Sequence, residues 1–292
     1  MNKQPLVTIQ ILNWNRADET LRAIQSALDQ TYENIEVIVI DNNSSDSSVI
    51  KINNKYPSVK VVRLEKNYGC PGGRNRGVKH CQGDYILFCD NDGVLHKDAV
   101  QNAVNAILED ENIAIVTGRV KEFDFESEID TNYDLSRHKS SFVCLFQGGI
   151  SLHNKNLFLK CGPYPDDYMY GQEETYLALR LLNDNFKIVK NESVVLWHKK
   201  SSTARNIQKE IMQAWGNTLS NAYQLFPLEY FILYFIYFWI VYPLYAIKHG
   251  FLISFIKSTK NYFKRLKNYD RKPVKRVTYR NFRNCLNNRE KS

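Results

Sequence analysis

Asp84-Tyr85-Ile86-Leu87-Phe88-Cys89-Asp90-Asn91-Asp92-Gly93 is the stretch whose reading decides the fold. Tyr85 to Cys89 is an apolar run of buried-strand length. Asp90 and Asp92 follow at spacing two, where the strand gives way to a loop, and Gly93 permits a tight turn. Two carboxylates at the end of a buried strand are costly unless a cation or a hydrogen-bonding partner compensates them. Oxygen ligands beside a diphosphate suit Mg²⁺ or Mn²⁺, which take one or two protein carboxylates together with substrate oxygens. Asp, Asn and Gly are also ordinary turn residues, so on this stretch alone a solvated turn stays open.

Upstream, Leu6–Leu12, Ile35–Ile40 and Val59–Leu64 read as three further strands. Helices over 19–30, 47–55 and 72–80 separate them, the first capped by Asp18. Strands alternating with helices at this spacing predict a parallel sheet flanked by helices, with ligands outside the carboxyl ends of the strands. Asn13-Trp14-Asn15, Asp41, the segment Asn67–Gly77 and Asp90/Asp92 all fall on that edge. Asp41 suits either the ring N–H of a pyrimidine or a helix N-cap. Trp14 suits stacking on a base or sugar, or a place in the core. Gly69–Gly77 offers close backbone approach, and Arg74 a charge for a phosphate. The segment matches neither a P-loop nor a well-placed dinucleotide fingerprint.

Together, Val7–Asn15, the Asp41-Asn-x-Ser-x-Asp46 turn, the Asn67-x-Gly69…Gly73-Arg74-Asn75-x-Gly77 segment and Asp90-x-Asp92 resemble family-2 glycosyltransferases, in their rhamnosyltransferase-like bacterial branch. The resemblance implies a GT-A fold: a mostly parallel central sheet flanked by helices, holding a nucleotide sugar. By position, Asn13, Asn15, Asp41, Asn67, Gly69, Arg74 and Asp90 would line the nucleotide. Asp41 would hold a uracil or thymine ring, and Asp90 and Asp92 the divalent metal on the diphosphate.

Downstream, Ala99–Asp110 predicts a helix and Ile113–Thr117 a strand. Residues 121–140 are polar and predict a loop near the site. Strand character resumes over Phe142–Phe146 and Ile150–Leu152. Leu177, Leu181 and Leu182 at helical spacing make 173–184 a helix, with Glu173 and Glu174 in its first turn. Acids there favour the helix dipole, which by itself explains them. The resemblance implies more, because the family places an acidic pair after a Gly turn and aromatic residues, at the head of a helix ending Leu-x-Leu-Arg. Here these are Gly148-Gly149, Tyr168-Met169-Tyr170, Glu173-Glu174 and Leu177-Ala178-Leu179-Arg180. Glu174 would then be the general base of an inverting transfer, and Glu173 would orient the acceptor or the loop. The chain departs from the family pattern with Glu as second member of the pair and with Tyr176 in place of an acid.

Phe186–Lys190 and Ser193–Trp197 predict two short strands, after which His198 would complete the metal site, an imidazole favouring Mn²⁺ over Mg²⁺. No Gln-x-x-Arg-Trp follows, which argues for addition of one or a few sugars rather than processive synthesis.

The net charge of +8 is concentrated at the C-terminal end, where Lys257–Ser292 holds 13 Lys or Arg against two acids. The six cysteines form no CxxC pair, and reduced thiols in a cytosolic compartment are the simpler expectation. Met1–Pro5 carries no mark of a signal peptide. Arg205–Phe226 predicts an amphipathic helix. Tyr230–Ile247 has no charge, contains Pro243, and is at the short end of a membrane span. Its tyrosines, and the basic tail after it, point to a monotopic or re-entrant anchor on the cytoplasmic face of the membrane. One true span and a buried oligomer contact are the alternatives.

These features predict a catalytic domain over 1–204 and a membrane-associating segment over 205–292. The donor would be a UDP- or dTDP-linked sugar, the acceptor a glycan or lipid-linked glycan. A sugar nucleotidyltransferase would carry a Gly-rich basic loop where Asn13-Trp14-Asn15 stands. A nucleic-acid-binding protein would use the basic tail, but here that tail abuts a lipid-like segment, so no nucleic-acid partner is expected.

Overall fold

The first four apolar runs form parallel strands in the computed structural model, which describes residues 4–123, 135, 139–199 and 207–289. They are β1 (Val7–Asn13), β2 (Ile35–Asp41), β3 (Lys60–Arg63) and β4 (Tyr85–Asp90), in the order β3-β2-β1-β4. Between them run α1 (Ala17–Leu28), α2 (Ser48–Lys55) and α3 (Gly69–Val78). Side chains alternate across each strand. Val7, Ile9, Ile11, Val37, Val39, Leu87 and Cys89 enter one core layer. Ile38, Ile40, Ile86 and Phe88 enter the other. Burial on both faces is why these strands read as nearly continuous apolar runs.

Antiparallel pairing enters after β4. The chain continues through β5 (Gly93–Leu95), α4 (Ala99–Ile107), β6 (Ile113–Phe123), β7 (Ser140–Phe142) and β8 (Ile150–Asn154). Then come α5 (Lys155–Cys161), α6 (Glu173–Asn183) and β9 (Lys187–Lys199). The sheet runs on as β4-β8-β6-β9-β5, with β7 also on β9. β8 is antiparallel to β4 and β6, whereas β6 and β9 are parallel. A mixed sheet whose β3-β2-β1-β4 half is parallel, with helices on both faces, is the expected GT-A architecture.

Several local expectations are corrected. Asp18 does not cap α1; the cap position is Arg16, and Asp18 in the first turn pairs with Lys51 at 2.8 Å. The two short strands after residue 186 are one, because a bulge opposite Thr117 and Arg119 absorbs residues 191–194. Of the expected strand Phe142–Phe146 only Phe142 is in a strand, at the end of β7, while Cys144 and Phe146 are buried in irregular chain. Of the expected loop, Lys121 to Phe123 extend β6, and 124–134 and 136–138 lie outside the described residues. The Gly-rich segment is helical from Gly69 on. Its Gly77 lets α3 lie against the sheet, since a Cβ there would come within 2.5 Å of Gln10 and 2.6 Å of Ile40.

The C-terminal part forms α7 (Ile207–Leu225), α8 (Leu228–Lys248), α9 (Leu252–Leu266) and α10 (Arg276–Arg289). Ala222, Leu225 and Phe226, with Val274, Tyr279 and Phe282, share a core layer with Leu177, Ala178 and Leu181 of α6. Much of the basic tail is therefore docked on the α/β body. Cys144 and Cys285 form a disulfide that ties α10 to the segment before β8. This corrects the expectation of six reduced thiols; the partners are 141 residues apart, beyond the reach of any spacing rule. The other four cysteines are free. α8 has an apolar surface nearly all round, and only Phe238 and Ala246 in it are buried.

Candidate active site

Strand register brings the polar ends together. Asn13 pairs with Asp41 across β1 and β2, and Leu12 pairs with Asp90 across β1 and β4. Asp41 is 0% exposed. Its Oδ1 accepts a hydrogen bond from Asn13 Nδ2 at 2.9 Å, and its Oδ2 one from the Ser44 backbone N–H at 3.0 Å. The exposed Arg63 lies 3.8 Å from Oδ2. Asp41 thus holds the turn after β2 and does not cap α2, whose cap position is Ser47. Asn15 adopts a left-handed φ of 53°, and its Oδ1 accepts the Ser45 N–H at 2.7 Å. Asn67 Oδ1 accepts from the Gly69 N–H and from Asn42 Nδ2, at 2.8 and 3.0 Å. Gly69 has φ 75°, and a Cβ there would meet the Met169 backbone at 2.6 Å. The polar atoms of these side chains thus hold the turns along this edge of the sheet. Trp14 is 52% exposed at the same edge, so its core reading falls and a face for stacking is left.

At the end of β4, Asp90, Asp92 and His198 each offer a ligand atom, and these atoms lie within 4.8 Å of one another. Pairing of β5 with β9 sets Gly93 opposite His198, which carries the imidazole to the acids. His198 Nε2 is 3.0 Å from Asp92 Oδ1, and Arg16 Nη1 donates to Asp92 Oδ2. Burial alone would push the Asp92 carboxyl up; His198 and Arg16 outweigh it and hold the group below the usual carboxylate range. Two carboxylates and one imidazole, drawn into one cluster and already balanced by cations, are a fitting donor set for Mn²⁺. Sequence reasoning gave Arg16 no role; its position on the ligand edge was the available signal.

Arg74 is 3% exposed, and its Nη2 donates to Asp90 Oδ1 at 2.7 Å. Gly148 and Gly149 fill the space between this pair and α6. A Cβ on Gly149 would lie 2.0 Å from Asp90 Oδ2, and one on Gly148 would lie 2.4 Å from Glu174 Oε1 and 2.8 Å from Arg74 Nη1. The carboxylates of Asp90 and Glu174, with the Arg74 guanidinium, therefore crowd around one glycine pair. Glu173 is 3% exposed, and its Oε2 has no hydrogen-bond partner among the described residues. Burial, then the charge of Glu174, raises the Glu173 carboxyl. Burial also raises Glu174, opposed by its backbone hydrogen bond and by Arg74. Glu174, the more exposed of the two, has the access a base needs.

The loop ahead of this pair is held by α7. Tyr168 donates its hydroxyl hydrogen to Asn221 Oδ1 at 2.7 Å, and Asn221 Nδ2 donates to the Gln172 carbonyl at 2.9 Å. Asn217 Nδ2 donates to the carbonyls of Tyr170 and Gly171 at 3.0 and 2.9 Å. A helix expected to serve the membrane segment thus also buttresses the acidic pair. The amide residues Asn217 and Asn221 on an otherwise amphipathic helix were the missed signal.

A GT-A sheet with an acid-acid-imidazole cluster at its ligand edge defines a glycosyltransferase scaffold. The family description "Glycosyl transferase family 2" matches residues 8–162, more than half of the sequence, and the chain belongs to that family. It is 33% identical over 147 residues to an uncharacterized glycosyltransferase of Haemophilus influenzae, covering 49% of this chain and 58% of that protein. It is 35% identical over 102 residues to a UDP-Glc:alpha-D-GlcNAc-diphosphoundecaprenol beta-1,3-glucosyltransferase of Escherichia coli, covering 34% of this chain and 40% of that one. Each match thus spans less than two thirds of the relative's length. A crystal structure of GalNAc-T7 with UDP, GalNAc and Mn²⁺ superposes with a TM-score of 0.65 at 14% identity, over 79% of this chain and 49% of that one. That likeness is one of fold.

Proposed function

We propose that the chain is an inverting, non-processive glycosyltransferase. It moves a sugar from a UDP- or dTDP-linked donor to a glycan or lipid-linked glycan acceptor in cell-surface polysaccharide synthesis. The observation that carries this reading is the single rim on which Asp90, Asp92 and His198 stand beside Arg74, Gly148-Gly149 and Glu174. Asn13, Asn15, Asp41, Asn67 and Gly69 build the nucleotide wall, and Trp14 offers a face to base or sugar. Asp90, Asp92 and His198 would hold Mn²⁺ or Mg²⁺. When bound, the cation supplies positive charge to the departing diphosphate.

The acceptor oxygen attacks the anomeric carbon as the bond from that carbon to the diphosphate oxygen breaks. The hydroxyl proton passes to Glu174, which burial makes more basic than an exposed glutamate. The new C–O bond forms on the face opposite the departing diphosphate, and the product is inverted. Glu173, buried beside it, orients the acceptor or the loop before α6. Arg74 stabilises Asp90 until the donor arrives and then lies beside the phosphates.

Residues 1–204 are the catalytic part and 205–292 the membrane-associating part, with α7 and α10 shared between core and anchor. The protein works at the cytoplasmic face of the cell membrane, where nucleotide sugars are made, and α8 supports contact with the bilayer surface. Protease accessibility of the α/β body in inside-out and right-side-out membrane vesicles checks the assignment, and a body cut only from the outer face would count against it. The central test is donor hydrolysis in detergent with Mn²⁺ across a panel of nucleotide sugars. Turnover of one pyrimidine-linked donor, abolished by chelator, is expected; no binding or turnover of any donor overturns the reading.

A further inference from the structure

Lys260, Phe263 and Lys264 of α9, with Lys267 at its C-cap, fall on one face at helical spacing. Together with Trp239 of α8 and Phe255 they line a groove of about 650 Å³. That size is within the ~300–1,000 Å³ common for small-molecule sites. The floor is aromatic: Trp239 stacks on Phe263 with ring centres 6.3 Å apart, and Phe255 lies 6.2 Å from Trp239. The rim is cationic. Among the described residues no carboxylate pairs with Lys260, Lys264 or Lys267. α9 is pinned in this orientation, since Ser258 Oγ donates to the Met212 carbonyl at 3.0 Å and Arg265 Nε to Asp167 Oδ2 at 2.6 Å.

The groove also decides how α8 meets a bilayer. α8 has 21 residues, long and apolar enough to span. Trp239 is near its middle. If α8 stood along the membrane normal, the lysines beside Trp239 would lie close to the hydrocarbon midplane. A lysine at that depth costs several times what a leucine there recovers. Lying in the interface plane instead, α8 buries its apolar side chains while the same lysines meet headgroups.

We propose that α8 and α9 lie flat in the membrane interface and that their groove seats one anionic phospholipid. The three ammonium groups hold its phosphate, and Trp239, Phe255 and Phe263 receive its first acyl carbons. Three unpaired cations over an aromatic floor complement an anionic headgroup on an apolar chain. They fit a zwitterionic headgroup poorly, and a second copy of this +8 chain poorly as well. The proposal rests on the membrane-surface reading above, and on neither Glu174 nor the metal cluster.

The test is flotation of the full chain with vesicles of phosphatidylcholine alone and of phosphatidylcholine with phosphatidylglycerol in equal parts. The wild type is expected to prefer the anionic vesicles, with a blue shift of tryptophan emission that Trp239→Phe removes. Lys260→Gln/Lys264→Gln/Lys267→Gln should lose on the order of a hundredfold in partition to anionic vesicles, since each basic residue at such a surface adds about fivefold. The charge-matched control Lys55→Gln/Lys79→Gln/Lys160→Gln, at exposed positions of the α/β body, should lose less than about tenfold. Circular dichroism and donor hydrolysis at wild-type levels establish that the triple variant is folded. A folded triple variant that still prefers anionic vesicles overturns the proposal, as does a control that loses as much. Equal binding to both vesicles, or a wild-type dimer that the triple substitution dissociates without effect on flotation, overturns it too. If no form of the chain turns over any donor, the transfer reading falls while the flotation result still decides the groove.

Discussion

Replacing Gly149 by alanine tests the arrangement of the acids most directly. The backbone at Gly149 has no positive φ, so alanine is conformationally acceptable there. Its Cβ, however, would lie 2.0 Å from Asp90 Oδ2, which is 1.4 Å short of ordinary van der Waals contact at 3.4 Å. The obstructing atoms are the whole Asp90 carboxyl group, with Cγ at 2.4 Å and Oδ1 at 3.1 Å, so the fold survives only as Asp90 rotates away. Reacting groups must be held within about 0.5 Å of productive geometry, and a misplacement of about 1 Å can cost roughly a hundredfold. Rotation also weakens the 2.7 Å bond from Arg74, leaving a buried guanidinium less well paired, at about 1–3 kcal/mol of stability. Gly149→Ala should therefore lower kcat/KM for the donor by about a hundredfold while Tm falls by only a few degrees. Stopped-time turnover with Mn²⁺ titration, next to a thermal melt, separates the two effects. Wild-type turnover and metal affinity in a folded Gly149→Ala protein would refute the idea that Asp90 stands in the reacting cluster.

Glu174→Gln should keep donor binding and lose transfer by about 10²–10⁴-fold; equal activity would move the base elsewhere. With Glu174 raised by burial, the acid limb of the pH–rate profile should fall above the range of an ordinary glutamate and vanish from the residual rate of Glu174→Gln. Asp92→Ala should abolish metal-dependent donor binding by calorimetry, and unchanged Mn²⁺-dependent binding would remove Asp92 from the metal set. For Glu173, a carboxyl raised on folding favours the folded state below its unfolded pKa, and that contribution is lost as pH rises towards the folded value. Glu173→Gln should therefore raise Tm more above neutrality than at acid pH, and melts that shift equally at both would argue against a buried, protonated Glu173.

The apolar runs around Ile9, Ile38, Val62 and Leu87 and the helices between them made the parallel half of the sheet legible, because burial on both faces leaves a local pattern. Since ligand sites gather at the carboxyl ends of such strands, Asn13, Asp41, Asp90 and Asp92 could be set on one edge by chain direction alone. The acidic pair opening α6 was legible for a similar reason: a helix start is marked by its own neighbours. The outcome was less direct for Asp41 and Asn67, whose polar atoms hold the turns beside them. Their residue types fit both a ligand contact and a turn contact, and only the surrounding donors distinguish these.

By itself, then, the sequence determined the order of strands and helices, the edge that carries the chemistry, and the acids that stand there. Tertiary structure decided which of these groups touch. His198 reaches Asp92 only because β5 pairs with β9, and Arg74 reaches Asp90 only because α3 lies close against the sheet. Asn217 and Asn221 hold the loop before Glu173 only because α7 docks on the body instead of leaving for the membrane. The physical reason is range. Periodicity and capping are written in neighbours a few residues apart, whereas contacts between distant segments are selected by packing and by the pairing of buried polar groups, which no short stretch encodes.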